Sequence, residues 1–83
     1  MIETNEGYEI IAAESYRIDN TDKHSRIVLG RMMTTHGPMF VTWESIQYPT
    51  ETGVSRDYFW GHYFSNGKAA YADYHRRLLE KYE

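Results

Sequence analysis

The stretch that decides the fold of this chain is Tyr58-Phe59-Trp60-Gly61-His62-Tyr63-Phe64. Five of these seven residues are aromatic, which is typical of a half-buried β-strand. Because side chains alternate along a strand, the rings divide between its two faces. The predicted faces are Tyr58, Trp60, His62 and Phe64 against Phe59 and Tyr63. Both faces of this strand therefore need cover, and the sequence supplies one clear helix.

Length and composition indicate one folded domain. The chain has 83 residues, of which 41% are hydrophobic and 16% aromatic, and its mean hydropathy is −0.70. A domain of this size buries only about 60% of the surface that its unfolded chain exposes, so large rings must supply much of the core. We expect residues 1–83 to form a single domain and the mostly polar residues 1–7 to be flexible.

Charge and cysteine content narrow the classes of function. Nine basic and twelve acidic residues give a net charge of −3, whereas proteins that bind duplex DNA normally carry a basic excess. The chain has no cysteine, which excludes disulfides and thiolate metal sites. The acidic segment 1–6 does not resemble a signal peptide, and no apolar run approaches membrane-spanning length. A cytoplasmic protein is expected.

The predicted strands are Tyr8–Ile18, Arg26–Thr34, Met39–Tyr48 and Tyr58–Phe64. A short helix over residues 9–15 is the competing interpretation of the first strand, because Ala and Glu favour helices. Glu14 breaks the alternation of that strand and suggests a bulge there. Residues 49–57 form the longest predicted loop, and a polar loop of this kind is a candidate contact site.

A helix is predicted from Gly67 to Tyr82, with Ser65 or Asn66 as its cap. Its apolar stripe is Ala70, Tyr71, Tyr74, Leu78 and Tyr82, which recur at three- and four-residue steps. The fold class is therefore α+β: an antiparallel meander of three or four strands with this helix packed on one face.

Candidate catalytic and metal-binding residues lack the spacing that such sites need. The four histidines form no His-x-His and no His-Glu-x-x-His pattern; they are His24, His36, His62 and His75. Glu14 and Glu44 are the carboxylates expected within the sheet, but nothing indicates a cleft that would hold both. We expect no enzyme activity, no metal and no cofactor.

The aromatic strands predict a contact surface. Tyrosine, tryptophan and phenylalanine are enriched at protein interfaces, and exposed apolar patches usually mark one. Trp43 and Trp60 are assigned to the core because of their size, provided that they point to the same face. The predicted partner-binding residues are Phe40, Tyr48, Phe59 and Tyr63, with Arg56 from the neighbouring loop.

The uncovered sheet face predicts a protein partner, most simply a second copy in a homodimer, since two-fold pairing is the commonest form of self-association. A host protein is the other expected partner. The competing prediction is that the N-terminal segment folds over this face and that no dimer forms. The alternative function is a single-stranded nucleic-acid-binding protein, in which the rings stack on bases. The charge would then come from Arg17, Arg26, Arg31 and Arg56.

The C-terminal half of the chain resembles a group of small proteins from bacterial phages and mobile elements. The resemblance lies in Phe40-Val41-Thr42-Trp43, in Trp60-Gly61-His62-Tyr63-Phe64, and in Asp73, Tyr74 and Arg77 of the final helix. It implies a phage-borne inhibitor, similar to anti-CRISPR proteins, that acts by binding a host protein. It implies no site residues.

Overall fold

The computed structural model describes residues 2–82. The elements are β1 (Thr4–Asn5), β2 (Tyr8–Ile18), β3 (His24–Thr34), β4 (Gly37–Thr50), β5 (Gly53–Phe64) and α1 (Gly67–Lys81). The strands form one antiparallel sheet in the order β1-β2-β3-β4-β5. The predicted α+β meander is confirmed, but it has five strands rather than three or four.

The extra strand comes from the N-terminal segment, which was expected to be flexible. Thr4 and Asn5 pair with Glu9 and Tyr8, and the Ile10 N–H donates to the Glu3 carbonyl at 2.9 Å. Glu6 and Gly7 both have positive φ, which is the backbone of a tight two-residue hairpin turn. Thr4 and Asn5 are therefore part of the sheet, Glu3 is tied to it by its carbonyl, and Met1 lies outside the described residues.

Strand β2 has the bounds predicted for it, so the helical interpretation of residues 9–15 is wrong. Its register shifts twice, between Ile10 and Ala12 and again between Ser15 and Arg17. Glu14 lies between these shifts and is itself paired with Ile27. The bulges change which side chains face each side of the sheet, which the simple alternation could not predict.

The long loop predicted over residues 49–57 is wrong. Strands β4 and β5 continue through most of it and leave only a two-residue turn at Glu51 and Thr52. Gly53 follows with φ 141°, a conformation that favours glycine. The ladder continues through Pro49, which is paired with Val54, to the pair of Thr50 with Gly53, so this polar segment is an extended hairpin.

Helix α1 covers one face of the sheet, called here the helix face. Asn66 caps it by accepting a hydrogen bond from the Ala69 N–H at 3.1 Å. The core of this layer is Ala70, Tyr74 and Leu78 against Ile27, Leu29 and Phe40. Tyr71 and Tyr82, predicted in the same stripe, are instead exposed on the flank of the helix.

The opposite side of the sheet, called the open face, buries a second cluster without any helix. Trp43 is at its centre and is 2% exposed. The rings of Tyr8, Tyr58 and Tyr63 surround the indole, with centroids 5.7, 5.6 and 6.3 Å from it. Tyr8 and Tyr63 are also 6.2 Å apart, although two strands lie between β2 and β5. The sheet is therefore curved enough for side chains of β2 and β5 to meet over Trp43 and bury it.

Candidate protein interface

The aromatic strand β5 contains a bulge at Trp60 and Gly61. Thr42 of β4 pairs with His62, and Glu44 pairs with Phe59, so Trp43 lies opposite two residues. The extra residue restarts the alternation one position later. Tyr58 and Tyr63 consequently share the open face, while Phe59, His62 and Phe64 face the helix side. The predicted alternation holds before the bulge and again after it, but residues on the two sides of the bulge were assigned to the wrong faces relative to each other.

Trp60 occupies the bulge in a left-handed backbone conformation, with φ 57°. The residue is 67% exposed, and its ring packs edge-on against Phe59 at a centroid distance of 4.8 Å. A bulky residue with positive φ is an outlier, and such strain is concentrated at functional sites. The prediction that Trp60 belongs to the core is wrong, because the bulge separates its direction from that of Trp43.

Gly61 makes the bulge compatible with a buried Trp43. A Cβ at this position would lie 2.8 Å from Trp43 Nε1 and 3.0 Å from the Tyr63 ring. The indole therefore lies directly on the backbone of β5, where only glycine leaves room for it. Gly61 thus leaves room for the buried Trp43, while Trp60 is left exposed at the bulge.

The structure does not bring the five predicted partner-binding residues together. Phe40 is 8% exposed beneath the helix, in contact distance of Gly67, so its assignment to an outward ring is wrong. Tyr48 and Phe59 are half-buried on the helix face. Tyr63, at 52% exposure, and the exposed Arg56 belong to the open face.

The part of the helix face beyond the end of α1 is the strongest candidate interface. From its first to its last Cα, the 14-residue strand β4 spans about 42 Å at about 3.2 Å per step, whereas the 15-residue helix α1 spans about 21 Å at about 1.5 Å per step. The C-terminal turn of the helix ends over Glu44, where Lys81 Nζ lies 3.1 Å from the carboxylate. Beyond this point the helix leaves a strip of apolar side chains, which we call the distal patch. It consists of the half-buried Ile46, Tyr48 and Phe59, which the pairing of β4 with β5 places on the helix face, and of the exposed Trp60, whose ring packs against Phe59.

A polar network lies between helix α1 and strands β4 and β5. Asp73, which is 5% exposed, accepts hydrogen bonds from Thr42 Oγ1 at 2.6 Å, from His62 Nδ1 at 2.9 Å, and from Arg76. Arg77 donates to the Thr42 carbonyl and hydroxyl at 3.1 and 3.0 Å. Burial alone would raise the pKa of the Asp73 carboxyl group, but the bonds from Thr42 and His62 lower it below its ordinary value of 3.8.

The His62–Asp73 pair has the geometry with which a carboxylate orients a general base. Within residues 2–82, however, His62 hydrogen-bonds to Asp73 and to no hydroxyl that it could activate. Thr42, the hydroxyl of this network, is fully buried and bound to Asp73 and Arg77. The network therefore ties β5 to α1, and sequence analysis missed it because Thr42 and Asp73 are 31 positions apart.

Other kinds of site find little support in the described residues. Residues 2–82 contain no group of three or more histidine, aspartate or glutamate side chains that could hold a metal ion. No helix in the same range is long and apolar enough to cross a membrane. Comparison with family models, with curated proteins and with solved structures gives no significant match. A function for this chain is therefore inferred from the bulge in β5 and the exposed Trp60 of the distal patch.

Proposed function

We propose that this chain is a small, non-enzymatic protein-binding module that contacts its partner through the distal patch, with Trp60 as the anchor. The observation that carries the proposal is the combination of strain and exposure at Trp60, with φ 57° and 67% of the residue exposed. The sequence resemblance to phage and mobile-element proteins makes a host protein the expected partner, and the binding would inhibit it.

The energies favour a binding role over a structural one. A left-handed backbone costs a non-glycine residue about 1–2 kcal/mol. The exposed two thirds of a tryptophan side chain is about 100–170 Å², and its burial at an interface would contribute about 2.5–4 kcal/mol. In the free chain this surface stays in water, whereas a complex would bury it and gain the free energy of burial. Tryptophan is also among the residues most enriched at the energetic centres of interfaces.

The neighbours of Trp60 suit an anchor site. Phe59 supports the indole edge-on and limits its movement, which lowers the entropy lost on binding. Tyr48 donates a hydrogen bond to Asp57 at 3.3 Å, so the patch has a polar rim beside its apolar centre. Of the five residues predicted as partner-binding, the proposal retains Tyr48 and Phe59 and adds Trp60 and Ile46.

The test compares capture of host proteins by three immobilised variants: wild type, Trp60→Gly and Leu79→Ala. Leu79 is 65% exposed on the helix, away from the patch, and serves as the matched control. A true partner is retained by Leu79→Ala and lost with Trp60→Gly. With that partner purified, Trp60→Gly should weaken binding about 100-fold or more. Equal capture of every protein by Trp60→Gly and wild type would refute the role of Trp60.

Two further measurements identify the kind of partner. Sedimentation of wild type and of Phe59→Glu tests the homodimer; a dimer that only the wild type forms would make the patch a self-association surface. Salt dependence tests the nucleic-acid alternative, because binding to single strands weakens steeply between 50 and 200 mM salt. A protein contact centred on Trp60 should change little over that range.

A further inference from the structure

Glu3 lies at the centre of a group of hydrogen-bond donors on the open face. Arg26 holds both carboxylate oxygens, with Nη2 at 2.7 Å and Nη1 at 3.1 Å. The Tyr58 hydroxyl also donates to Glu3, and Arg56 Nε lies 3.6 Å away. Two guanidinium groups and a phenol, from β3 and β5, thus surround one carboxylate from the N-terminal segment. The N-terminal segment lies at the edge of the sheet as β1, and the Glu3 side chain extends from it onto the open face.

The donors form a site that needs an anion. Arg26 is 5% exposed, and Nη2 also donates to Ser45 Oγ at 2.9 Å. Its Nε has no hydrogen-bond partner among residues 2–82. A buried guanidinium without a counter-charge is strongly destabilising, so an oxyanion must occupy the site in the folded chain. Burial opposes ionisation of Glu3, yet the bonds from Arg26 and Tyr58 hold the pKa of its carboxyl group below the usual range.

The segment that supplies this oxyanion makes few backbone contacts with the sheet. Strand β1 is two residues long and lies at the edge of the sheet, and Ile2 beside Glu3 is 65% exposed. An open cavity of about 350 Å³ adjoins the carboxylate. Its lining residues are Ile2, Glu3, Thr4, Asn5, Arg56 and Tyr58. Short edge segments open locally at far lower cost than central strands, and this cavity provides room for a competing group.

We propose that Arg26, Arg56 and Tyr58 form an oxyanion-binding site for a carboxylate side chain of a protein partner, and that Glu3 is an internal ligand which this carboxylate displaces. The present occupant sets the chemistry, because paired arginine nitrogens match the two oxygens of a carboxylate. The site lies on the open face and the distal patch on the helix face. The inference therefore does not rest on the proposed function.

The experiment removes the internal ligand and replaces it from solution. Glu3→Ala deletes the CH₂COO⁻ group, and sodium acetate restores a group of the same size. At acetate concentrations about five times its dissociation constant, Tm of Glu3→Ala should rise by about 4–8 °C over sodium chloride of equal ionic strength. Wild type and the control Glu14→Ala, which removes an exposed carboxylate of β2, should not respond. The double variant Glu3→Ala/Arg56→Gln should respond less than Glu3→Ala.

Three outcomes would overturn the proposal. The first is a Glu3→Ala variant that acetate does not stabilise. If Glu3→Ala is unfolded without acetate, the matching refutation is that acetate fails to fold it any better than chloride does. The second is a larger rise with inorganic phosphate than with acetate, which would reject the carboxylate assignment. The third concerns wild type alone: the Ile10 amide, bound to the Glu3 carbonyl, should exchange with solvent at least tenfold faster than the Val28 amide of β3. Equal exchange of the two would show that Glu3 is not displaceable.

Discussion

Replacement of Trp60 by glycine should have little effect on stability, although it deletes the largest side chain in the aromatic strand. The buried third of the ring is about 50–80 Å², which contributes about 1–2 kcal/mol, and the edge-on pair with Phe59 adds about 0.5–1.5 kcal/mol. Glycine relieves about 1–2 kcal/mol of left-handed strain at φ 57°. The net change therefore lies between a gain of about 0.5 kcal/mol and a loss of about 2.5 kcal/mol. A tryptophan in the core would lose about 3–5 kcal/mol.

Urea unfolding followed by circular dichroism measures this difference. Trp43→Ala is the internal comparison, because Trp43 is 2% exposed and should lose the full core value of about 3–5 kcal/mol. A loss of 3 kcal/mol or more in Trp60→Gly would show that the ring supports the fold and is not retained for contact. A small loss of stability together with lost partner binding is the result expected of a residue retained for contact.

Three other predictions follow from the packing and the buried charges. Leu78→Ala should lower the free energy of unfolding by about 2–5 kcal/mol, since Leu78 is 6% exposed beneath the helix; exposed Leu79→Ala is the control, and an equal Tm for Leu78→Ala and wild type would contradict it. The pKa of the Asp73 carboxyl group is lower in the folded chain than in the unfolded chain, so ionised Asp73 stabilises the fold above pH 3.8 and this stabilisation is lost as pH falls below that value. Asp73→Asn should therefore lose less stability than wild type on acidification, and an unchanged acid unfolding curve would contradict the role of the network. Burial, together with the bond to Glu3, raises the pKa of Tyr58 to about 12, so stability should fall as pH rises from 10 to about 12. Burial also raises the pKa of Tyr8 and of Tyr74, so Tyr58→Phe should show a smaller loss over this range than wild type, and an equal loss would contradict the role of Tyr58.

The sequence predicted the parts of this fold that depend on local pattern. The helix begins at Gly67 as expected and ends one residue early, and β2 has its predicted bounds. Strand β4 keeps strict alternation, with Val41 and Trp43 on the open face and Phe40 on the helix face, because the ladder from β3 to β4 runs without a register shift. Regular pairing preserves the two-residue period, so the pattern and the structure agree there.

The candidate site could not be predicted in the same way, because it depends on a bulge. One extra residue at Trp60 and Gly61 moves every later side chain to the other face. The local signal for this bulge is Gly61, because a glycine within a strand often marks a bulge or a close approach of another group. The choice of Phe40 as an outward residue failed for a related reason: the helix crosses the sheet near Gly67 and covers that ring. The ion pair between Glu3 and Arg26 joins residues 23 positions apart, beyond any local pattern.

The bulge also determines how a partner can approach β5. This strand is the outer edge of the sheet, and its 12 residues would otherwise offer a long row of unpaired backbone groups to an added strand. The extra residue at Trp60 breaks that row between Phe59 and His62, and the bend turns the backbone away from a straight partner strand. An added strand could pair with only one side of the break, whereas the indole projects from the break itself. Contact through side chains on the distal patch is therefore favoured over strand addition. A partner that binds in this way will lose affinity with Trp60→Gly even though the edge of the sheet is unchanged.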